Sequence, residues 1–531
     1  MIFSIALKDF LGNFVSARFI IGFILCLILI PFTVVIGIQE YKSRQSIYEV
    51  EKNEANESMN VTVYSALRPV VVKPPEPLSV FSRGISNNVG NRVKIYLGTI
   101  PLLAEGRTSV RDNPLLNTLF TLDFCSVMAI IMSLLAFVFS YDACSGEREQ
   151  GTLKLIMSQS ISRSKYLMGK IAGVFLTILP IILFCYILSF IIVMVFPGIS
   201  FSANEWSRII VLFLLSIVYF TLFIALGIFI SSRFKSSVTS IIVCLFVWIT
   251  MLFVIPSFSV YIARSFVTVR PREILDLALR DIDRERERKA VEYRNTLDKS
   301  KVWFSFFNQY SLRDDGYCIM KGTSKGTYEY FRQANEALEP MRIEYAGKKW
   351  QLQKSYLDEL ENQRRFSERL SSISPSEIFR FASSSLCRVD ANSQNSYLER
   401  TRRYREELIT FFKDEKIFGS FLYFTPLSPE IFVDTDELIR ITTNDKMQNL
   451  EELEKWSEGR SDKNSIFTKD RPEWMAESPL IDISNVPIFQ WQPDTITDSI
   501  QKSIGKLGAM IVIAILLFYL SFVSFTRYDV R

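Results

Sequence analysis

Six apolar runs with no charge in their interiors constrain this chain more than any other feature. They are 19–38, 117–141, 171–196, 208–231, 238–262 and 507–525. A helix of about 20 apolar residues spans the hydrocarbon core of a bilayer. Lipid offers no partner to backbone polar groups, so each run must satisfy its own hydrogen bonds as a helix. The pattern predicts an α-helical integral membrane protein with six transmembrane helices in a lipid bilayer. Pro31, Pro180 and Pro256 fall in the first, third and fifth runs. Pro256 is expected to break its helix near one end, because proline lacks the N–H that a helix interior needs.

The loops between the runs assign sides. Residues 142–170 and the tight turn with Arg233 and Lys235 are rich in Lys and Arg, whereas 197–207 has neither. Positive charge marks the cytoplasmic face, so both termini are expected there in a cell inner membrane. Residues 1–18 are amphipathic, with Lys8 and Arg18, and read as an in-plane helix. The other reading is a signal-peptide n-region, but the next run is too long for that and no small-residue cleavage site follows.

Two polar segments then face outward, 39–116 and 263–504. The first opens with a charged helical stretch. Short β-like runs follow at Val61–Tyr64, Val70–Val72, Leu78–Phe81 and Val93–Leu97. The second predicts long charged helices, near 271–304 and 327–370, with Pro340 expected to kink or break the latter. They read equally as an antiparallel stalk or as a self-packed globular domain. Ser376 is a plausible cap for a short helix, and 395–412 is another helix. The prediction is a large, mainly helical extracytoplasmic domain with a small β-containing segment, followed by a cytoplasmic tail at 526–531.

Composition excludes several kinds of chemistry. The chain has 531 residues and no histidine, which removes His-based triads and His metal ligands. No metal or cofactor site is expected. Net charge is +5 with acids and bases interspersed, which gives no footprint for nucleic acid. None of the seven cysteines forms a C-x-x-C, and five lie in or beside the apolar runs. Cys318 and Cys387 are the two in the large polar domain; they could pair in an oxidising compartment or remain two buried thiols. An ion-coupled transporter normally needs charge inside its spans. The six interiors have none, so any work must draw on another energy source.

The stretch from Tyr141 to Lys170, YDACSGEREQGTLKLIMSQSISRSKYLMGK, carries the strongest functional signal. Dense charge with a few apolar residues suits either an ordinary solvated loop or a protein-docking surface. From Ser133 onward it resembles the signature of ABC-2-type permeases, in particular the NosY-like and gliding-motility branches with a large outer domain. Asp142, Ser145, Gly146, Glu147, Arg148 and Glu149 occupy the first half of that signature without a gap. Gly151, Thr152, Leu153, Ser158, Arg163, Gly169 and Lys170 occupy the second. Cys144 stands where an aliphatic residue is common. A second likeness starts at Ser374 and Pro375 and continues through Phe379, Ala382, Leu386, Asp390 and Tyr397, but Cys387 and Arg388 replace the usual small pair.

The resemblance implies that residues 142–153 and Arg163 meet a cytoplasmic ABC ATPase subunit. Gly169-Lys170 and Gly505-Lys506 lack the rest of a Walker A motif, so ATP and Mg²⁺ belong to that partner and this chain is no enzyme itself. The family also implies a dimer, with a second copy or a paralogous permease, and an extracytoplasmic protein partner is possible. Small residues such as Gly22, Ala225 and Gly227 suit either close contact between subunits or ordinary packing within the chain. The readings are ATP-driven export of an unnamed substrate, mechanotransmission to an outer partner without solute passage, or a membrane-anchored receptor without an ATPase.

Overall fold

A computed structural model describes all residues except Met1, Asn87, 106–121, Ser160, 304–308, 311–319, 322–323, Leu427, Pro429, Ile431, Gly459, 461–465, 467–478 and 527–531. Residues 117–121 of the predicted second span, Cys318, and Arg527 and Arg531 of the tail therefore lie outside the described residues. Six helices are long and apolar enough to cross a membrane. The chain is an α-helical, multi-pass membrane protein with a large helical domain.

A short helix, α1 (Ile2–Phe14), precedes α2 (Ala17–Glu57), which Ser16 caps by accepting the Phe19 N–H. Helix α2 passes through Pro31 and keeps going well past its apolar part. Its 41 residues make about 60 Å of helix at 1.5 Å per residue, twice a bilayer core. The polar half beyond the span packs on a two-stranded antiparallel sheet, β1 (Val70–Val72) with β2 (Arg92–Lys94), in the register Val71 to Val93. Asn91 reaches the buried Glu51 carboxylate at 2.8 Å. Two of the expected strands are something else. Pro77–Val80 is a 3-10 turn, and Tyr64–Ala66 is another. At the first, Leu78, Ser79, Val80 and Phe81 are consecutively buried, which an alternating strand face cannot achieve.

The second span, α3, runs as Phe124–Val127, a π-helical turn at Met128–Met132, and Ser133–Ser140. Asp123 caps its start. Two short helices follow, α4 (Ser145–Glu149) and α5 (Thr152–Ser158), and then the spans α6 (Arg163–Val195) and α7 (Ala203–Arg233). The fifth span, α8, runs as Ser237–Ile249, a π turn at Thr250–Val254, and Ile255–Phe266. Pro256 does not break it. The π turn just before the proline absorbs the missing donor, and the Met251 carbonyl accepts from the Ser374 and Ser376 hydroxyls instead, at 2.6 and 3.1 Å. Gly22 lies against Leu135 and Gly227 against Ser140, so both serve close packing inside the chain.

In the large domain, α9 (Arg272–Thr296) and α10 (Lys325–Ser371) lie antiparallel. Asp283 pairs with Lys349, Glu285 accepts from Tyr345, and Arg270 pairs with Glu359. These contacts step in opposite directions along the two helices, as a stalk requires. Helix α10 continues through Pro340 without interruption for 47 residues. Between α9 and α10 two short strands pair, β3 (Gln309–Tyr310) with β4 (Met320–Lys321). Away from the spans, a second core gathers β1, β2, the start of α10, α12 (Ala391–Asp414) and Val486. A small third one forms around Trp303 and helices α13 (Thr435–Thr443) and α14 (Leu450–Ser457). The chain closes with α15 (Ile496–Thr526), the sixth span.

Helix α11 (Pro375–Leu386) belongs with the spans, although the sequence sets it deep in the polar domain. Ile378, Phe379, Ala382 and Leu386 are buried in the same core as the membrane helices, and Phe379 stacks on Tyr219 with ring centres 4.6 Å apart. Ser374, not Ser376, is the residue before its first turn, because Pro375 takes the first helical position, where no N–H is needed.

Candidate functional site

Residues 141–170 form one end of the bundle, and their backbone is tied down by neighbours from several helices. The first turn of a helix leaves N–H groups without partners. Cys144, at the cap position of α4, supplies no acceptor, so Ser231 of α7 does: its hydroxyl oxygen accepts the Cys144 and Ser145 N–H groups, each at 3.0 Å. The favour is returned at α8. Glu149 accepts the Ser237 N–H at 3.1 Å, a carboxylate at a helix N-terminus, where the helix dipole favours it. Arg148 donates to the Phe234 carbonyl at 3.0 Å. Two turns from different parts of the chain thus cap one another.

Glu147 points inward. Its carboxylate accepts the Tyr166 hydroxyl at 2.5 Å and the Lys170 ammonium at 2.7 Å. The same ammonium reaches Asp9 of α1 at 3.0 Å. Lys170 is only 4% exposed in its side chain, between carboxylates 13% and 15% exposed. Burial raises the Asp9 carboxyl above its ordinary value, against the pull of the adjacent ammonium. Helix α1 approaches this closely because Gly169 and Gly173 face it. A Cβ at either would stand 2.8 Å from a Cβ of Ile5 or Asp9. At the start of α2, Arg18 pairs with Asp142 at 2.7 Å and lies over the Tyr141 ring.

The remaining signature residues have distinct places. Gly151 takes a left-handed conformation, φ +73°, which lets α4 turn into α5. The Thr152 hydroxyl donates to the Glu147 carbonyl at 3.2 Å, and Leu153 is buried in the span core. Arg163 donates to the Phe525 carbonyl at the end of α15, and Tyr166 stacks on the Phe525 ring. A Cβ added at Gly146 would stand 3.4 Å from the Asp142 Cβ, an ordinary contact distance. The exposed face of this segment is made by Gln150, Gly151, Lys154 and Leu155; Leu155 is 71% exposed.

With this geometry, one comparison decides the family. A family model described as ABC-2 family transporter protein matches residues 3–530. The chain belongs to the ABC-2 transporter family. It is a membrane permease component of the ABC transporter type, and members generally work with a cytoplasmic ATPase subunit. A search of curated proteins gives no match.

The resemblance implied that Glu147 and Arg148 meet an ATPase; within the chain, Glu147 binds Tyr166 and Lys170, and Arg148 donates to the Phe234 carbonyl. Sequence reasoning missed Asp9, Ser231 and Ser237, which complete the network. Asp9 did leave a signal, as the sole acid in the first 38 residues. The serines left none. Cys387 is a buried free thiol beside Cys125, at the other end of the bundle. Its candidate partner Cys318 lies outside the described residues.

The other end of the bundle holds a second polar network. Arg388 has φ +58°, the conformation that favours glycine, and occupies one of the two positions where the family resemblance expects small residues. Its guanidinium binds Glu76 at 2.9 Å and Glu205 at 2.6 Å, all three buried. Burial raises the Glu76 carboxyl against the pull of Arg388. Next to them Arg208 donates to the Leu386 and Asp494 carbonyls and to the Ser499 hydroxyl. These contacts join α7, α11 and the entry to α15.

Proposed function

We propose that the chain is the membrane subunit through which a separate cytoplasmic ATPase drives export, and that residues 142–163 receive the ATPase movement. The carrying observation is the inward network. Glu147, Lys170 and Asp9 link α4, α6 and α1, while Ser231, Glu149 and Arg163 link the same segment to α7, α8 and α15. A push on this segment reaches the ends of all those helices. The membrane orientation follows from the same reading, with the segment and both termini in the cytoplasm and the large domain outside. A dimer, with a second copy or a related permease, completes the unit.

The surface offered to the ATPase is the exposed face with Leu155 as its apolar centre. Buried apolar anchors ringed by polar residues carry most interface energy. The test is co-purification of the full chain with its candidate ATPase. Leu155→Asp should lose the ATPase while the protein still inserts and melts like wild type. Binding unchanged in Leu155→Asp and in a Lys154→Glu/Leu155→Asp double variant would overturn the docking assignment. A wild-type chain that binds no ATPase would bring the receptor reading forward.

A further inference from the structure

A cavity of about 850 Å³ lies between α2, α3, α8 and α11. Its size falls in the range of small-ligand sites, roughly 300–1,000 Å³. Both π turns of the spans border it, with Ile130 from one and Leu252 and Phe253 from the other. A π turn is found often at functional sites. Each turn is braced from outside its own helix. Tyr219 of α7 donates to the Ala129 carbonyl at 2.9 Å, and Ser374 and Ser376 donate to that of Met251. With Phe32 and Ile36 of α2, the π-turn residues make one apolar half. Phe32 and Phe253 are each 52% exposed, so this half reaches the outer surface of the spans.

The other half is polar, and its charges are engaged within the chain. Glu40 pairs with Arg83 at 3.0 Å, Glu368 with Arg364, and Glu377 with Arg380. Lys506 lies over the Phe381 ring, in the field of Glu368 and Asp390. Asp390 also accepts from Ser393 at the start of α12. Asp123, the fifth carboxylate against four cations, accepts the Arg83 and Ser126 N–H groups, each at 2.7 Å. A charged head of either sign would enter without a counter-charge, and burying an unpaired charge is costly.

The serines of α11 set a second condition. Ser383 and Ser384 donate to the Arg380 and Phe381 carbonyls of their own helix, both at 3.0 Å, and Ser376 donates to Met251. Their hydrogens are committed, but each hydroxyl oxygen keeps lone pairs. The polar half therefore offers acceptors and suits a ligand that donates.

We infer that this cavity binds an uncharged amphiphile, with one apolar chain between α2 and α8 and a hydroxyl-rich head that donates to the serines of α11. Such a molecule comes from the bilayer, as a glycolipid, or from solution, as a free alkyl glycoside. Binding is a property of this chain alone, so the test leaves the ATPase out.

The full chain in phosphatidylcholine nanodiscs is titrated with tritiated decyl glucoside below its micellar concentration. Saturable binding is expected, displaced by unlabelled decyl glucoside and not by glucose. Decyl phosphate and decylammonium should compete roughly tenfold more weakly. Ser383→Ala with Ser384→Ala should weaken binding roughly tenfold, the loss of two neutral hydrogen bonds. Ile130→Trp and Ile36→Trp fill the apolar half from two different spans, and each should abolish binding; circular dichroism and melting select the variants that fold. Discs containing a diacyl glucolipid separate the sources: competition supports a site for bilayer glycolipid, and its absence a site for a free amphiphile. Absent saturable binding, or binding unchanged in the folded filling variants, would overturn the site. Equal competition by either charged amphiphile, or unchanged binding in the serine variant, would overturn the uncharged, donating head.

Discussion

Replacing Lys170 with Met tests whether the inward network holds the candidate coupling segment to the bundle. The ammonium lies 2.7 Å from Glu147 and 3.0 Å from Asp9. At an effective dielectric of about 20, each contact attracts by roughly 6 kcal/mol. Removing the ammonium from water costs several kcal/mol in return. The attraction therefore does not measure the loss. What Lys170→Met does is leave two mostly buried carboxylates with only the exposed Lys8 ammonium, 3.8 Å from Glu147, beside them, and removing the buried partner of such a group costs about 3–5 kcal/mol. The same logic predicts a rescue. Lys170→Met with Glu147→Gln and Asp9→Asn removes the three buried charges together, and most of the lost stability should return, because replacing a whole buried ionic group by neutral residues is often close to neutral. The assay is unfolding of the full chain in mixed micelles by rising sodium dodecyl sulfate, read by circular dichroism for wild type, single and triple variants. A loss under about 1 kcal/mol for Lys170→Met would refute the buried-charge argument. So would a triple variant no more stable than the single one. Retained ATPase binding in the triple variant would in addition separate the network's holding role from docking, since Leu155 is untouched.

Asp9 gives a pH-dependent counterpart. Its folded-state pKa is raised, so the folded chain holds more protons than the unfolded one just above the ordinary carboxylate value of about 3.9. Stability should fall as pH rises through that window, and Asp9→Asn should flatten the slope; melting curves of both proteins across mildly acidic pH check this. Gly173→Leu should push α1 off α6, because the space beyond the glycine is taken by Asp9 and Ala6, at a cost of about 1–3 kcal/mol in the same detergent titration. Arg388 and Lys416 share a left-handed backbone, φ +58° and +51°, in opposite settings. Lys416→Gly should stabilise the protein by about 1 kcal/mol, because an exposed strained position is relieved. Arg388→Gly should instead destabilise by about 3–5 kcal/mol, because Glu76 and Glu205 lose their buried cation. Parallel melting of the two variants distinguishes the outcomes, and equal behaviour would sink the explanation.

Elements set by strong local patterns were legible. An apolar run long enough to cross a bilayer has one solution in lipid, so all six spans could be read, and the charged periodicity of α10 located it to within two residues at its start and one at its end. Proline misled at Pro256, where a break was expected, and it does not break α10 at Pro340. Pro31 and Pro340 lie inside continuous helices, and Pro256 follows a π turn. In each case the local rule gives the cost of a missing N–H, while the surroundings decide whether that cost breaks the helix. At α8 the surroundings include Ser374 and Ser376, more than a hundred residues later in the chain, whose hydroxyls no local window can connect to Met251.

The candidate site was legible as a motif and not as a geometry. The signature residues cluster, but their roles come from partners far away in sequence: Asp9 for Lys170, Ser231 for the start of α4, Phe525 for Arg163. A charged segment beside a membrane reads as a surface because charge avoids lipid. That inference omits a third environment, the packed polar joint between helix ends, where a charge is buried and paired. Glu147 belongs to that environment, and so does Arg388 at the opposite end. There a small pair expected from the resemblance became a cysteine and an arginine, and the arginine's left-handed backbone is held by two buried acids. A departure from a family pattern at such a joint is informative when the structure supplies the new partners, because a buried cation in a glycine-like conformation persists only where its surroundings determine it.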